Sequence, residues 1–395
     1  MGEEQAGSRT TPPFAEFDAA EYAGRWARAR AAMADAGLDA LFISSECNYR
    51  YLSGHVTPFW VSKSRPMFLL LPLRGEPILF VTTSQVPTVR ATSPVAEVRV
   101  WEGFVAPGID LLEAALHELG LAAGRIGAEL GEEQRLGLPY ADFVDLQNRL
   151  PRAAFVDAAE LLWALRMIKS PAEIAYLRRS AAIASAAYRE LFAAVRPGMS
   201  EREVFATFVA STIRQGAERP GYVPVHSGAG HYQRISMGPT DRRLAPGDLL
   251  WLDGGCVYRG YWSDFARMVA IGRPTTAQQD RYRRVRAIMH DCIAAVRPGV
   301  TMPELTARAQ RAFAAAGLAF SSHSRIGHGL GLDITEPPSI NLADETVVQP
   351  GMVLTMEPTS AAEDGFFQLE ENYVVTAGGC ELLTEPAPAE LPVIE

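Results

Sequence analysis

Lysine is almost missing from this chain. Of 37 basic residues in 395, only Lys63 and Lys169 are lysine. With so much arginine and alanine, we read this as a GC-rich bacterial coding bias rather than as function. Cysteine is scarce too: Cys47, Cys256, Cys292 and Cys380 are scattered, with no CxxC pair. That pattern excludes a disulfide scaffold and reads as free thiols in a reducing compartment. No run of ~18 apolar residues could cross a bilayer as a helix. The start, MGEEQAGSRTTPPFAEFD, has no basic segment followed by an apolar one, so it does not read as a signal peptide. Ala6 stands where a myristoylation signal needs Ser or Thr. An excess of positive charge is also absent, since the net charge is −9, which disfavours nucleic acid as a partner. The expectation is a cytoplasmic protein with no membrane partner.

What is present is enough apolar content, 48% over 395 residues, for two domains with real cores. Residues 19–36 have helical periodicity, Gly37 is a stop signal, and DALFIS is a short strand. MFLLLPLRGEPILFV reads as a hairpin around Arg74-Gly75-Glu76-Pro77. A helix near 109–119, a strand at RIGAEL, a helix near 139–149 and a strand at AAFVDA follow. This alternation argues for a mixed α/β domain. Ser170-Pro171-Ala172-Glu173 combines an N-cap serine, proline at N1 and glutamate at N3, and so opens a new helix that runs to about Ala194. The junction is placed near 165, giving domains 1–165 and 166–395.

The second domain repeats itself. AAVRPGMSEREV at 193–204 returns as AAVRPGVTMPEL at 294–305, an offset of 101. Each copy ends a helix at Arg-Pro-Gly and opens another with a capping box, Ser200 to Glu203 and Thr301 to Glu304. A duplicated half would place a cleft between two copies, with ligands from each.

Four segments carry the chemistry: WLDGGCVYRGYWSDFAR, RIGHGLGLDITEPPS, PGMVLTMEPTS and FFQLEENYVVT. They hold Asp253, Asp264, His328, Glu357 and Glu370. Four carboxylates and one imidazole suit hard or borderline divalent ions, and are numerous enough for two ions sharing bridging groups. Asp253 ends one apolar strand and Asp264 lies on a second. Two such carboxylates buried ~4 Å apart would be strongly unfavourable without a cation. Glycines flank His328 and let the backbone approach closely. Glu370 and Glu371 point to opposite faces of a strand, so only one can be a ligand; Glu371 stays open as the alternative.

These segments, in this order, resemble the pita-bread metallopeptidases: methionine aminopeptidase, Xaa-Pro aminopeptidase, prolidase and creatinase-like relatives. The match is strong over 171–385 and weaker before it. The resemblance implies an α/β (α+β) pita-bread catalytic domain with pseudo-twofold duplication, preceded by a smaller creatinase-like domain. It implies that Asp253 chelates one ion, that Asp264 bridges two, and that Glu357 is both ligand and proton acceptor. A basic residue, an aliphatic one and the ligand glutamate fall on Gln368-Leu369-Glu370, which selects Glu370. Mn, Co, Fe and Zn all suit two such sites, with Mn favoured. The resemblance also implies a homodimer, for which NYRYLSGHVTPFWVSKSRP (48–66), read as a loop exposing Trp60, is the expected contact and substrate wall.

The chain departs from the peptidase pattern at three histidine positions, occupied here by Ser236, Ser324 and Thr335. Thr335 is therefore expected at the substrate. The offset histidines His226, His231 and His323 are candidate replacements: His231, in a Gly-Ala-Gly loop, as proton carrier, and His226 as a substrate contact. The expected activity is hydrolysis of an amide bond, Xaa-Pro or related, in a small peptide or amino-acid-like substrate. Two alternatives stay open: amidine or lactam hydrolysis or C–S lyase chemistry on a small metabolite, and a catalytically silent binding module.

Overall fold

The computed structural model describes residues 10–103, 108–232, 234, 237–320, 325–363 and 365–395. Ser236, His323 and Ser324 lie outside the described residues. The chain forms two compact units, Met1–Leu165 and Arg166–Glu395. Among the described residues, no helix is long and apolar enough to cross a membrane.

The first unit is built on a six-stranded mixed sheet. Its strands run, in spatial order, Glu97–Trp101, Ile78–Thr82, Phe68–Pro72, Ala40–Ile43, Arg125–Ala128 and Ala154–Asp157. The expected hairpin is present, with Phe68 opposite Phe80 and Leu70 opposite Ile78, and its neighbour Ala40–Ile43 is also antiparallel to it. The outer pairings are parallel. Asp18 caps the helix Ala19–Asp35 by accepting from Glu21 N at 2.8 Å, and Gly37 leaves it at φ 64°. One reading needs correction: 48–66 is not all loop. The helix Glu46–Ser53 takes its first part, followed by a 3-10 turn at Pro58–Val61. Periodicity did not reveal this helix, and a remote residue anchors the segment that leads into it. Glu129, buried at the end of the strand Arg125–Ala128, accepts from Ser44 N (2.7 Å), Ser45 N (2.9 Å) and Asn48 Nδ2 (2.7 Å).

In the second unit, the capping box at Ser170 and Glu173 opens the helix Pro171–Ala194. Both repeat copies are seen as structure: the helix pair Pro171–Ala194 and Glu201–Arg214, and the pair Thr276–Ala295 and Met302–Ala315, each second helix starting with a capping box. The likeness continues in the backbone. Gly198 N donates to Leu244 O as Gly299 N donates to Val348 O, at 2.8 and 3.0 Å. Each copy then enters an antiparallel strand pair. In the first, Leu249–Gly254 pairs with Phe265–Ile271; in the second, Val353–Met356 pairs with Glu371–Val375.

Alternation along these strands serves two cores. Leu249, Trp251, Ala266, Met268 and Ala270 pack into one buried cluster with the helices of the second copy. Leu250, Leu252, Phe265, Val269 and Ile271 pack into another with the helices of the first. Each pleat face is thus covered, which is why LLWL reads as a continuous apolar run. Asp253 and Asp264 carry the parity of Trp251 and Ala266, so they extend from the same face of the sheet.

Candidate metal centre

The two copies deliver their acids at equivalent points. Leu244 and Val348 are matched positions 104 residues apart, and Asp253 and Glu357 are separated by the same 104. The pairing of Met356 with Glu371, continued by one step, sets Glu357 beside Glu370. Asp264 sits in the break between the strands Tyr261–Trp262 and Phe265–Ile271, and Glu370 falls just before Glu371–Val375. Both were expected inside strands. Each instead lies just outside a strand, where the backbone is held by cross-links between the copies. Asp264 N donates to Asn372 Oδ1 at 3.1 Å, Asn372 Nδ2 returns a short bond to Asp264 O, and Glu370 N donates to Ala266 O at 3.3 Å.

His328 arrives on the short strand His328–Gly329, between Glu336–Ser339 and Val353–Met356. Its two glycine neighbours make this possible. A Cβ on Gly327 would lie 2.1 Å from Thr355 O, and one on Gly329 would lie 2.3 Å from Pro337 O. Nδ1 contacts the Gly329 carbonyl at 2.9 Å, a partner that can only accept, so Nδ1 carries the proton and Nε2 presents a lone pair. Nε2 lies 3.6 Å from Asp264 Oδ2 and 3.8 Å from Glu357 Oε1. Burial lowers the imidazole pKa to about 3, which keeps it neutral as a ligand must be.

One ligand atom each from Asp264, His328 and Glu370 falls within 4.8 Å of the others, and all three residues are buried. Asp264 Oδ1, Asp253 Oδ1 and both Glu370 oxygens are buried without a hydrogen-bond donor of good geometry; the Thr355 hydroxyl only slightly offsets the burial of Glu370. Burial and mutual repulsion raise all four acids, Asp253 and Glu357 to about 7 and Asp264 and Glu370 well above the usual range. Buried polar oxygens normally find a partner, so this group is shaped for a cation. Glu371, the alternative ligand, is excluded by its own bonds. It accepts from Arg267 Nη2 (2.8 Å), Thr384 Oγ1 (2.5 Å) and Ala387 N (2.7 Å).

Two neighbours of Glu357 escaped the sequence reading. Gln368, where a basic residue was the pattern, donates to Glu357 Oε2 at 2.7 Å. Arg325 places Nε 3.7 Å from Glu357 Oε1 and donates from Nη2 to Thr335 Oγ1 at 3.2 Å. The only signal for Arg325 was its place three residues before His328. Tyr222 is a third. The charges of Asp253 and Asp264 add to burial in raising its phenol pKa.

The remaining candidates meet other partners. His226, on the strand Val225–Ser227, is buried and stacks on Trp251 at 5.2 Å. His226 and His231 line a cavity with Glu201, Arg234, Thr240 and Arg242, and none of the five clustered residues is in its wall. Trp60 belongs to the first unit, where its ring meets Tyr49 edge-on at 5.2 Å and Tyr49 in turn hydrogen-bonds His55.

Residues 175–377 match the family described as metallopeptidase family M24, and residues 25–168 match the creatinase/prolidase N-terminal domain. The probable dipeptidase PepE of Mycobacterium tuberculosis is 32% identical over 87% of this chain and 88% of its own length. An uncharacterized peptidase of Bacillus subtilis, YqhT, is 29% identical over 91% of this chain and 96% of its own. Among solved structures, the Xaa-Pro dipeptidase from Bacillus anthracis superposes with a TM-score of 0.84 at 26% identity, covering 94% of this chain and all of that one. With the duplicated pita-bread architecture and the acid–histidine cluster at its centre, this chain belongs to metallopeptidase family M24.

Proposed function

We propose that the protein is a metal-dependent dipeptidase that cleaves the amide bond of short peptides, with Xaa-Pro peptides as its first candidate substrates. The observation that carries this reading is the set of buried carboxylate oxygens without donors around a neutral, oriented His328. Asp253, Asp264, His328, Glu357 and Glu370 are the proposed ligands, and their four acidic charges suit two divalent ions, Mn first among Mn, Co, Fe and Zn. Such ions supply a Lewis acid for the scissile carbonyl and lower the pKa of a water to near neutrality. The names of the PepE and Xaa-Pro dipeptidase relatives support the substrate class.

Within that frame the side chains divide the work. Gln368 holds Glu357 by Oε2, leaving Oε1 toward the centre. The Glu357 side chain is 16% exposed against 8% for Asp264, so of these two it is the one a water and a substrate reach more easily. Glu357 takes the proton of the attacking water at Oε1 and returns it to the departing nitrogen. This assignment needs no proton from His231. Thr335, which accepts from Arg325, is the proposed substrate contact. A homodimer belongs to the same reading, supported by Val61, 92% exposed on the turn beside Trp60.

Assay of an Xaa-Pro dipeptide panel with metal-stripped and Mn2+-reconstituted protein tests the activity. Turnover that appears with Mn2+ and disappears with chelator is expected. A metal-replete protein inert toward every dipeptide would overturn the reading. Light scattering at assay concentration checks the dimer, which a fully active monomer would refute.

A further inference from the structure

Residues 331–335 join two parts of the proposed site and belong to no helix or strand. They follow the strand His328–Gly329 and end at Thr335, just before the strand Glu336–Ser339. Inside the stretch, Gly331 N donates to Asp333 O at 3.2 Å. The rest of its shape is set from outside. On one side, Glu336 Oε1 accepts from Asp333 N at 3.1 Å, and Arg166 Nη2 donates to Asp333 Oδ2 at 2.7 Å. A Cβ on Gly331 would lie 2.5 Å from Glu336 Oε1, so the chain passes close against that carboxylate.

On the other side, one residue answers two successive carbonyls. Trp262 N donates to Gly331 O at 2.9 Å, and its indole Nε1 donates to Leu332 O at 2.9 Å. Leu332 is buried, where a carbonyl without a donor is costly. The Arg219 guanidinium lies 4.6 Å from the centre of the indole ring and steadies it. The donor is itself anchored. Trp262 ends the strand Tyr261–Trp262 opposite Val257, Tyr261 Oη donates to Glu173 Oε1 at 2.9 Å, and Ser263 N donates to Cys256 O at 2.9 Å.

This brace joins the two copies outside the metal centre. Trp262 belongs to the first, two residues before Asp264, and residues 331–335 belong to the second, between His328 and Thr335. The backbones of Asp264 and His328 have supports of their own, Asn372 Oδ1 at 3.1 Å and Thr355 Oγ1 at 3.2 Å. Resting on the dipeptidase reading above, we infer that Trp262 is a positioning residue for the substrate side of this site. It acts through Thr335, by holding residues 331–335 at a fixed place relative to the segment that carries Asp264. Loss of the brace should therefore weaken substrate binding and spare both metal binding and the chemical step.

The test uses the full-length, Mn2+-loaded protein and glycyl-L-proline. Trp262→Phe keeps a ring beside Arg219 and removes the indole donor. Trp262→benzothienylalanine removes the same donor from a ring of nearly the same shape, so a defect common to both is not one of packing. Each is expected to raise KM about 3–10-fold, the range of one net hydrogen bond. A kcat within about twofold of wild type is expected beside it, with Mn2+ stoichiometry unchanged in calorimetric titration. In a Thr335→Val background, the same substitutions should raise KM by less than about twofold, because residues that act as a unit are not additive. Hydrogen–deuterium exchange of peptides covering 331–335 should quicken in both variants. The inference is overturned if KM stays at the wild-type value, if its rise is undiminished in the Thr335→Val background, or if Mn2+ binding is lost instead. Unchanged exchange over 331–335 overturns it equally. Exchange needs no substrate, so it judges the brace even where glycyl-L-proline is not cleaved, an outcome that counts against the dipeptidase reading.

Discussion

Glu370 and Glu371 are adjacent, equally hidden at 1% and 0% exposure, and opposite in condition. Glu371 is saturated by a guanidinium, a hydroxyl and a backbone N–H. Glu370 has no well-placed donor, and burial with the charges of Glu357, Asp264 and Asp253 pushes its pKa well up. The contrast extends through the second unit. Glu336 lies between Arg166 (2.5 Å) and Lys169 (2.9 Å), and these charges outweigh its burial, bringing its pKa down to about 2. Burial alone therefore says little about function. A buried acid with its charge already answered is architecture, and one left unanswered marks a place for an external cation.

The strongest way to break this contrast is Glu370→Gln. It should lower turnover of an Xaa-Pro peptide by roughly 10³-fold or more, by removing a component of the metal centre. Its melting temperature without metal should not fall. Asp264→Asn should behave alike, and unchanged activity after metal reconstitution would remove either residue from the site.

Glu371→Gln should do the reverse. It leaves the buried Arg267 without its anionic partner, and a loss of about 3–5 kcal/mol in denaturant unfolding is expected. A variant as stable as wild type would show that Glu371 and Arg267 are not the structural pair described here.

Gln368→Ala sharpens the boundary between the two classes, since Gln368 touches a proposed ligand and no ion. Metal affinity should fall about 10–100-fold, as for other groups that orient ligands. Calorimetric Mn2+ titration checks this, and an unchanged affinity would make the 2.7 Å bond to Glu357 incidental.

The pH dependence of Mn2+ affinity should be of the same order per unit. Asp253 and Glu357, raised to about 7, hold protons below that pH which a cation must displace. Affinity should fall as pH drops through about 7, by about tenfold per unit for each proton released. His328, with its pKa near 3, should not contribute above pH 5. A flat profile between pH 6 and 8 would contradict the raised acids. The least effect is expected from His231→Ala, about threefold or less in turnover, because the cavity it lines contains none of the clustered residues.

The sequence exposed most of this centre because the proposed ligands sit at the ends of short, strongly apolar strands beside glycine and proline. The twelve-residue repeat told where the second set would fall, and the capping boxes at Ser170, Ser200 and Thr301 marked their helices directly. Legibility failed where the deciding partner is far along the chain. The entry to the helix Glu46–Ser53 is held by Glu129, some eighty residues away, through Ser45 N and the Asn48 side chain. Arg325 and Gln368 acquire meaning only from Glu357, which no local pattern links to them. The choice of Glu370 over Glu371 rested on a pattern whose basic residue is absent here. It was the bonds of Glu371 that made the choice physical.

The matched placement of Asp253 and Glu357 has a thermodynamic side. An ion coordinated by both would act as a reversible cross-link between segments 104 residues apart, present only in the native state. The unfolded chain scatters those ligands, so free metal draws the equilibrium toward the native form by mass action. At a metal concentration about 100 times the dissociation constant, that is about 2.7 kcal/mol. Depletion of the ion would then loosen the seam between the duplicated halves as well as silence the enzyme, and the cell's metal supply would set its lifetime along with its rate.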